Sequence, residues 1–569
     1  MSSASSYSPT RRIQSGARTT NMTANDIVNI SRPLTELAHS QPDTKAIIFP
    51  QENRSLTYRQ LDEESDRLAR GLGRVGIVRG VRTALLTPPG PELFALTFAL
   101  FKAGAVPVFI DPGIGARNLK GCLAEAAPEA FIGIPKAHLA RRLFGWGKNS
   151  LRILITVGGS SRFWGGVPLT EVQRLGEGSA APFKAAATNR DETAAILFTS
   201  GSTGPPKGAV YTHGNFAAQV AALQELYDIL PGEVDLPTFP LFALFAPALG
   251  MTAVIPQMDF TRPGRVDPGR ILGPVAAYAA TTMFGSPALL NRVGRYSAPD
   301  GTKLSSLKRV ISAGAPVSAK VLECFSALLP RDAEIFTPYG ATEALPVSSI
   351  GSREILAETG HLTGEGCGIC VGRPVPSISL AIIPISDEPI VAWSDDLPLP
   401  PWEVGEIAVN GPQVTASYFN RPEATSLAKI ADPENGVWHR MGDLGYRDNS
   451  GRIWFCGRKS HRVVSCDGIL FTIPVEGVFN VHPLVFRTAL VGIGKHGSQR
   501  PVLCVELEKG TRKREQEQIR RDLLERGALY PHTKGIRDIL FHPAFPVDIR
   551  HNAKIFREKL AVWAAGRIR

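Results

Sequence analysis

The chain has 569 residues, 43% hydrophobic and 20% charged; at about 150 residues per domain this allows two to four soluble, well-cored domains. Its net charge of +11 suits anionic substrates, but the basic residues are scattered, and the one run, 510–521, is broken by acids and glutamines, which excludes a nucleic-acid partner in favour of a solvated helix face. The seven cysteines include a Cys367–Cys370 C-x-x-C with no second pair at zinc spacing, so they point to a reducing, cytoplasmic setting without a structural metal.

Residues 1–25 are rich in Ser, Thr and Arg and lack an apolar stretch. They read as a disordered tail, with Met22 a candidate start, and not as a secretory signal. Thr57 and Gln60 make a capping-box pair ahead of Leu61, Leu68 and Leu72, which predicts a helix that stops within Gly71–Gly76. Val81–Leu86 is strand-like, Glu92–Ala103 reads as a buried helix ended by Gly104, and Val106–Ile110 as a strand ended by Asp111, Pro112 and Gly113. That β-α-β rhythm predicts an α/β fold with parallel-type sheets covered by helices.

The next segment carries chemistry. An apolar strand from Ala194 runs into Thr199-Ser-Gly-Ser-Thr-Gly204, then Pro205, Pro206 and Lys207. Glycines let a backbone approach an anion, the hydroxyls of Thr199, Ser200, Ser202 and Thr203 can donate to phosphate, and Lys207 adds positive charge. A Walker A loop would open a helix after its lysine. Here Gly208-Ala-Val-Tyr211 continues as a strand, which excludes a P-loop nucleotidase.

Residues Leu236–Met258 hold no charge, but Pro237, Pro240, Pro247 and Pro256 exclude a membrane-spanning helix and favour a buried wall facing an acyl chain. From about Asp443 the elements shorten. Strands are expected at Ile453–Cys456, Val463–Ser465, Thr488–Ile493 and Val502–Glu508, and helices at Val475–Val481 and Lys513–Arg526. They predict a small, mobile α+β domain over 457–569, joined to a large domain over 26–456 through a hinge at Cys456–Ser460.

The string Ser200–Gly208 resembles the S-G-S-T-G-x-P-K-G signature of the adenylate-forming superfamily, whose further motifs follow in order over nearly the whole chain after about residue 30. The resemblance implies an AMP-binding ligase using ATP and Mg²⁺. It assigns the phosphates to Thr199, Ser200, Gly201, Ser202, Thr203, Gly204 and Lys207. Gly314, Ala315 and Pro316, within Ser312-Ala-Gly-Ala-Pro316, resemble the adenine-contacting segment. In Tyr339-Gly340-Ala-Thr342-Glu343 the tyrosine would stack on adenine, the threonine contact phosphate and the glutamate hold magnesium. Asp443, closing Trp438-His-Arg-Met-Gly-Asp443, and Arg458 would take the ribose, and Lys554 would bridge carboxylate and α-phosphate. Each residue type suits the role so implied, because magnesium prefers carboxylate oxygen with substrate phosphates and the α-phosphorus needs spread positive charge.

Several strings are most similar to the olefin β-lactone synthetase branch of that superfamily: Phe239-Pro-Leu-Phe-Ala-Leu-Phe245, Tyr339-Gly-Ala-Thr-Glu-Ala-Leu-Pro346, Gly457-Arg-Lys-Ser-His461 and His551-Asn-Ala-Lys554. That branch implies a long-chain 2-alkyl-3-hydroxy fatty acid as substrate, activated as acyl-AMP and closed to a β-lactone by its own hydroxyl, with companion enzymes of a fatty-acid condensation pathway. The uncharged wall at Leu241–Ile255 would house the alkyl chains. His213, just after the loop, is the candidate base, against a role in orienting a helix start; His461 reads as a solvated hinge residue. Ala243 stands where many acyl-CoA synthetases have the histidine of P-L-F-H, and Ser460 stands where the hinge is usually Asp or Lys. Both departures weigh against the rival expectation, a long-chain acyl-CoA ligase or an acyl-AMP ligase loading a carrier protein.

Overall fold

Local sequence rules start the first elements. The Thr57 hydroxyl accepts from the Gln60 N–H and the Gln60 side chain accepts from the Thr57 N–H, opening the helix Tyr58–Arg74, which buries Leu61, Leu68 and Leu72. Its chain leaves through Gly76 at φ +94°, and the helix Pro91–Ala103 ends at Gly104 with φ +70°, a left-handed turn that glycine adopts without strain. The computed structural model describes residues 28–568 apart from 160, 162, 180, 200–203, 297–302 and 548–553. The tail at 1–25, the loop residues Ser200, Gly201, Ser202 and Thr203, and His551 and Asn552 lie outside the described residues.

Two seven-stranded sheets form the body. One runs Val167–Pro168, Ile153–Thr156, Ala130–Gly133, Arg82–Leu86, Val106–Phe109, Thr193–Phe198 and Gly208–Thr212, parallel except for its last pair. The other runs Glu334–Phe336, Arg309–Ile311, Thr282–Phe284, Val234–Pro237, Thr252–Val254, Lys45–Phe49 and Arg54–Thr57, again with one antiparallel edge pair. The largest buried cluster takes Phe49 and Ala253 from one sheet, Leu85, Phe109 and Ala194 from the other, and Leu61, Leu68, Phe98 and Phe216 from the helices. Burying both faces is what makes the strands apolar runs instead of alternating ones. Within that layer Lys102 is 1% exposed and its ammonium hydrogen-bonds Asp62 (2.6 Å) and Asp66 (2.5 Å), pinning the helix Pro91–Ala103 to Tyr58–Arg74.

A third sheet adds something the parallel expectation did not contain. It is antiparallel and six-stranded: Ile369–Cys370, Ile453–Arg458, Gly436–Arg447, Gly405–Asn410 and Ser379–Ile383 in order, with Lys429–Asp432 also paired to Gly436–Arg447. The expected strand Ile453–Cys456 belongs to this sheet. Further on, Val485–Ile493, Arg500–Leu507 and Asp538–Phe541 form a three-stranded sheet, accompanied by the helices Thr472–Asn480, Gln516–Ala528 and Arg557–Ala565. The basic run begins in the turn that holds Lys513–Glu515 and enters the Gln516–Ala528 helix with Arg520 and Arg521, a helix that turns Ile519 and Leu523 inward. Among the described residues no helix is long and apolar enough to cross a membrane, and none of the cysteines there is disulfide-bonded.

The start of the described chain is tied to this body. The Val28 N–H donates to Thr188 O (2.9 Å), the Asn29 side chain donates to Phe101 O (2.9 Å), and the Ile30 N–H donates to His213 Nδ1 (3.2 Å).

Candidate active site

The loop predicted to hold phosphate is the tip of a hairpin. Its flanking strands, Thr193–Phe198 and Gly208–Thr212, are antiparallel with Phe198 opposite Gly208. Thr199 and Lys207 face each other at the tip: the Thr199 N–H donates to Lys207 O (3.0 Å) and the Lys207 N–H to Thr199 Oγ1 (3.3 Å). Beyond Lys207 the chain runs on as the strand Gly208–Thr212 and opens no helix, in agreement with the exclusion of a P-loop. The Lys207 ammonium lies 5.0 Å from the ring centre of Tyr418, a cation–π contact that holds the charge without neutralising it.

Tyr418 also donates its hydroxyl to Glu343 Oε1. The backbone around Glu343 is held by Thr415, whose N–H and hydroxyl both donate to Glu343 O (2.9 and 3.1 Å), and the neighbouring Thr342 O accepts from the Tyr211 hydroxyl. Gly340 is required upstream, since a Cβ there would meet Ala344 O at 2.6 Å. Behind Thr415 sits the buried Lys429, which donates to Thr415 O; burial pushes its ammonium down to about 7 against the pull of Glu343.

Tyr339, Asp443 and Arg458 form one cluster. The Tyr339 hydroxyl donates to Asp443 Oδ2 (2.7 Å), and Arg458 Nη1 stands 3.1 Å from Asp443 Oδ1 at an angle outside hydrogen bonding, so that oxygen keeps its acceptor capacity. Burial raises the Asp443 carboxyl above its ordinary value, with Arg458 opposing. Arg458 donates in addition to Met441 O (3.2 Å). Next to it Lys459 reaches Glu406 Oε2 (3.1 Å) and Ser386 O (2.7 Å).

These groups surround one continuous cavity of about 1200 Å³, larger than the roughly 300–1,000 Å³ of a site for a drug-sized ligand. Thr199, Gly204, Lys207, Gly314, Gly340, Thr342, Glu343, Arg458 and Lys554 line it, while Tyr339 and Asp443 are not part of the lining but adjoin the lining residues Gly340 and Gly442 in the chain. Ala315 and Pro316 lie on the loop after Gly314 and are not part of the lining. From this polar part the cavity continues between Phe216, Val220, Leu223, Leu241, Phe245 and Met251, so the uncharged segment supplies an apolar wall as expected.

The placement of His213 corrects one expectation. It is 1% exposed, does not line the cavity, and stacks edge-on against Phe101 (6.4 Å) while its Nδ1 accepts from Ile30. Burial lowers its imidazole to about 4, and the adjacent Thr212–Asn215 capping box starts the helix His213–Tyr227. Its ring holds the Ile30 N–H within the core and does not reach the cavity. His461 departs from its expected solvated state too: burial and the nearby Arg557 and Arg458 push it down to about 3.

Sequence reasoning missed three lining residues. Tyr418 and His439 reach the cavity from the antiparallel sheet region, and Asp235 reaches it from the Val234–Pro237 strand. His439 Nδ1 is 3.2 Å from Ala428 O; a neutral ring donating there keeps Nε2 as an acceptor. His439 stands directly before Arg440 and near Asp443 in the motif Trp438–Asp443, and that proximity was its one sequence signal.

Comparisons with known proteins agree with this geometry. The AMP-binding enzyme family model matches residues 34–419. The chain is 51% identical over 553 residues to an olefin β-lactone synthetase of Xanthomonas campestris pv. campestris, covering 95% of this chain and 98% of that one. It is 50% identical over 554 residues to an olefin β-lactone synthetase of Stenotrophomonas maltophilia, with the same coverage. Among solved structures, the amide bond synthetase McbA of Marinactinospora thermotolerans superposes with a TM-score of 0.76 at 22% identity, covering 94% of this chain and 99% of that one.

Proposed function

The chain belongs to the AMP-binding enzyme family, and from that premise we propose that it activates a long-chain 2-alkyl-3-hydroxy acid with ATP and closes the resulting acyl-AMP to a β-lactone. The observation that carries this reading is the single cavity in which the Lys207, Glu343 and Lys554 end opens directly onto the apolar Phe216–Met251 wall. The extent of identity to olefin β-lactone synthetases supports the lactone-forming branch over a CoA or carrier-protein ligase.

In this reading Lys207 and the hairpin tip hold the β- and γ-phosphates. Asp443, through its open Oδ1, takes the ribose hydroxyls together with Arg458, and Tyr339 lies against the adenine. A carboxylate oxygen of the acid attacks the α-phosphorus, the bond to the β-phosphate breaks, and pyrophosphate leaves. Lys554, in the lining of the same cavity, offsets the charge developing on the carboxylate and α-phosphate. Glu343 suits Mg²⁺: its carboxylate is fixed by Tyr418 and lines the cavity with Thr342 and Lys207, where phosphates and water would complete the ion's oxygen ligands. When bound, Mg²⁺ neutralises phosphate charge as a Lewis acid.

The second step needs no external nucleophile. The 3-hydroxyl oxygen attacks the acyl carbonyl carbon, its proton passes to a base, and AMP departs. A hydroxyl held in near-attack geometry has an effective molarity of about 10⁵ M or more, which helps offset ring strain. The apolar wall shields the mixed anhydride from water. The 457–569 domain, carrying Lys554, is the part we assign to movement about Cys456–Ser460, and companion enzymes of a fatty-acid condensation pathway would supply the acid.

Mass spectrometry of products from one 2-alkyl-3-hydroxy acid with ATP and Mg²⁺, with and without CoA, tests the proposal. The expected products are a β-lactone, AMP and pyrophosphate irrespective of CoA. A thioester in place of lactone, or ADP with orthophosphate, would overturn it.

A further inference from the structure

Among the described residues that line the cavity, Thr87, Trp146 and Asp235 each keep a buried polar atom without a partner, and of the three Asp235 alone offers a carboxylate acceptor. In the strand Val234–Pro237, Val234 and Leu236 pack into the core on one face of the sheet, so Asp235 is turned to the other face, where the cavity lies. Asp235 is 8% exposed and its Oδ1 accepts no hydrogen bond. The hydroxyls of Thr238, Thr282 and Ser286 in the lining have partners of their own. The Thr238 hydroxyl donates to Phe284 O (2.7 Å), Thr282 Oγ1 accepts from Arg309 (2.9 Å), and Ser286 Oγ accepts from the Leu289 N–H (3.4 Å). Burial pushes the Asp235 carboxyl up to about 7, while Arg309 and the Leu236 N–H pull the other way.

A buried acceptor left open is costly to a fold and calls for an explanation. Facing a substrate cavity, it marks where a bound molecule must present a donor. Fatty chains have none, and a 2-alkyl-3-hydroxy acid has one outside its carboxyl group. Resting on the acyl-activating reading above, we propose that Asp235 is the specificity-determining residue for hydroxylated acids, its Oδ1 accepting the hydrogen bond of the substrate's 3-hydroxyl. An acid lacking that hydroxyl leaves the carboxyl unsatisfied inside an apolar wall. Selection against the absent group is then much stronger than a hydrophobic pocket achieves by shape.

Carboxylate-dependent exchange of pyrophosphate into ATP reads adenylate formation without ring closure, so it isolates recognition from lactone chemistry. The full-length protein is assayed with a 2-alkyl-3-hydroxy acid and its 3-deoxy counterpart of equal chain lengths. We expect kcat/KM to favour the hydroxy acid by at least about 100-fold. In Asp235→Leu that ratio should collapse towards one, and the gentler Asp235→Ala gives the same readout where the leucine chain does not fold. Equal exchange of the two acids by the unaltered protein would overturn the inference, as would a folded variant that keeps the full ratio. Robust exchange with no discrimination would leave the acyl-activating function standing, whereas no exchange with either acid would remove that function and the inference with it.

Discussion

A single buried imidazole shows how position decides between chemistry and architecture. His213 is next to the phosphate loop in sequence, yet its ring faces Ile30 and Phe101, and its Nδ1 is occupied as an acceptor. With its imidazole lowered to about 4 from 6.5, the folded chain refuses a proton that the unfolded chain accepts. The stability it contributes is therefore complete above about pH 6.5 and is lost progressively as the pH falls towards 4, by roughly 1.4 kcal/mol per pH unit. Urea unfolding of the wild type and of His213→Gln at pH 7, 6 and 5 should show the wild-type advantage shrinking on acidification. A constant gap across that range would mean that the ring titrates alike in the folded and unfolded chain. The same residue-scale logic, applied to Asp235, yields the opposite assignment, because there the open atom faces the cavity.

Between elements, the Lys102–Asp62–Asp66 triad joins two helices through charges that are almost wholly buried. Removing the ammonium alone strands two carboxylates in an apolar layer, so Lys102→Ala should cost about 3–5 kcal/mol in denaturant unfolding. A loss under about 1 kcal/mol would mean that water enters and screens the pair. Elements of this kind differ in how far a sequence reveals them. The Thr57–Gln60 capping box and the Gly104 stop are legible because every partner lies within a few residues. The strand Gly208–Thr212 is legible because the prolines before Lys207 forbid the helix of a P-loop. The sheet from Ser379–Ile383 to Ile453–Arg458 is not, since its pairings join segments far apart and its short strands carry no strong period. Tyr418, His439 and Asp235 were hidden for that reason: each enters the cavity through tertiary packing, and no local spacing announces it.

At the scale of the whole molecule, one cavity connects a charged end with an apolar end, so a ligand that spans both should bind more tightly than its two halves. A non-hydrolysable acyl-adenylate analogue should raise the melting temperature by more than AMP and the free acid together at equal concentrations, since stabilisation follows ligand affinity. Additive or smaller shifts, measured by differential scanning fluorimetry, would show that the two ends bind independently.

The stitching of Val28, Asn29 and Ile30 onto Thr188, Phe101 and His213 has its own bearing on that cavity. Ile30 is itself one of the lining residues, so the seam doubles as a panel of the acid-binding chamber. A chain begun beyond Ser31 would therefore carry a leak beside its reactive anhydride, and would squander ATP on hydrolysis while every motif residue stayed in place.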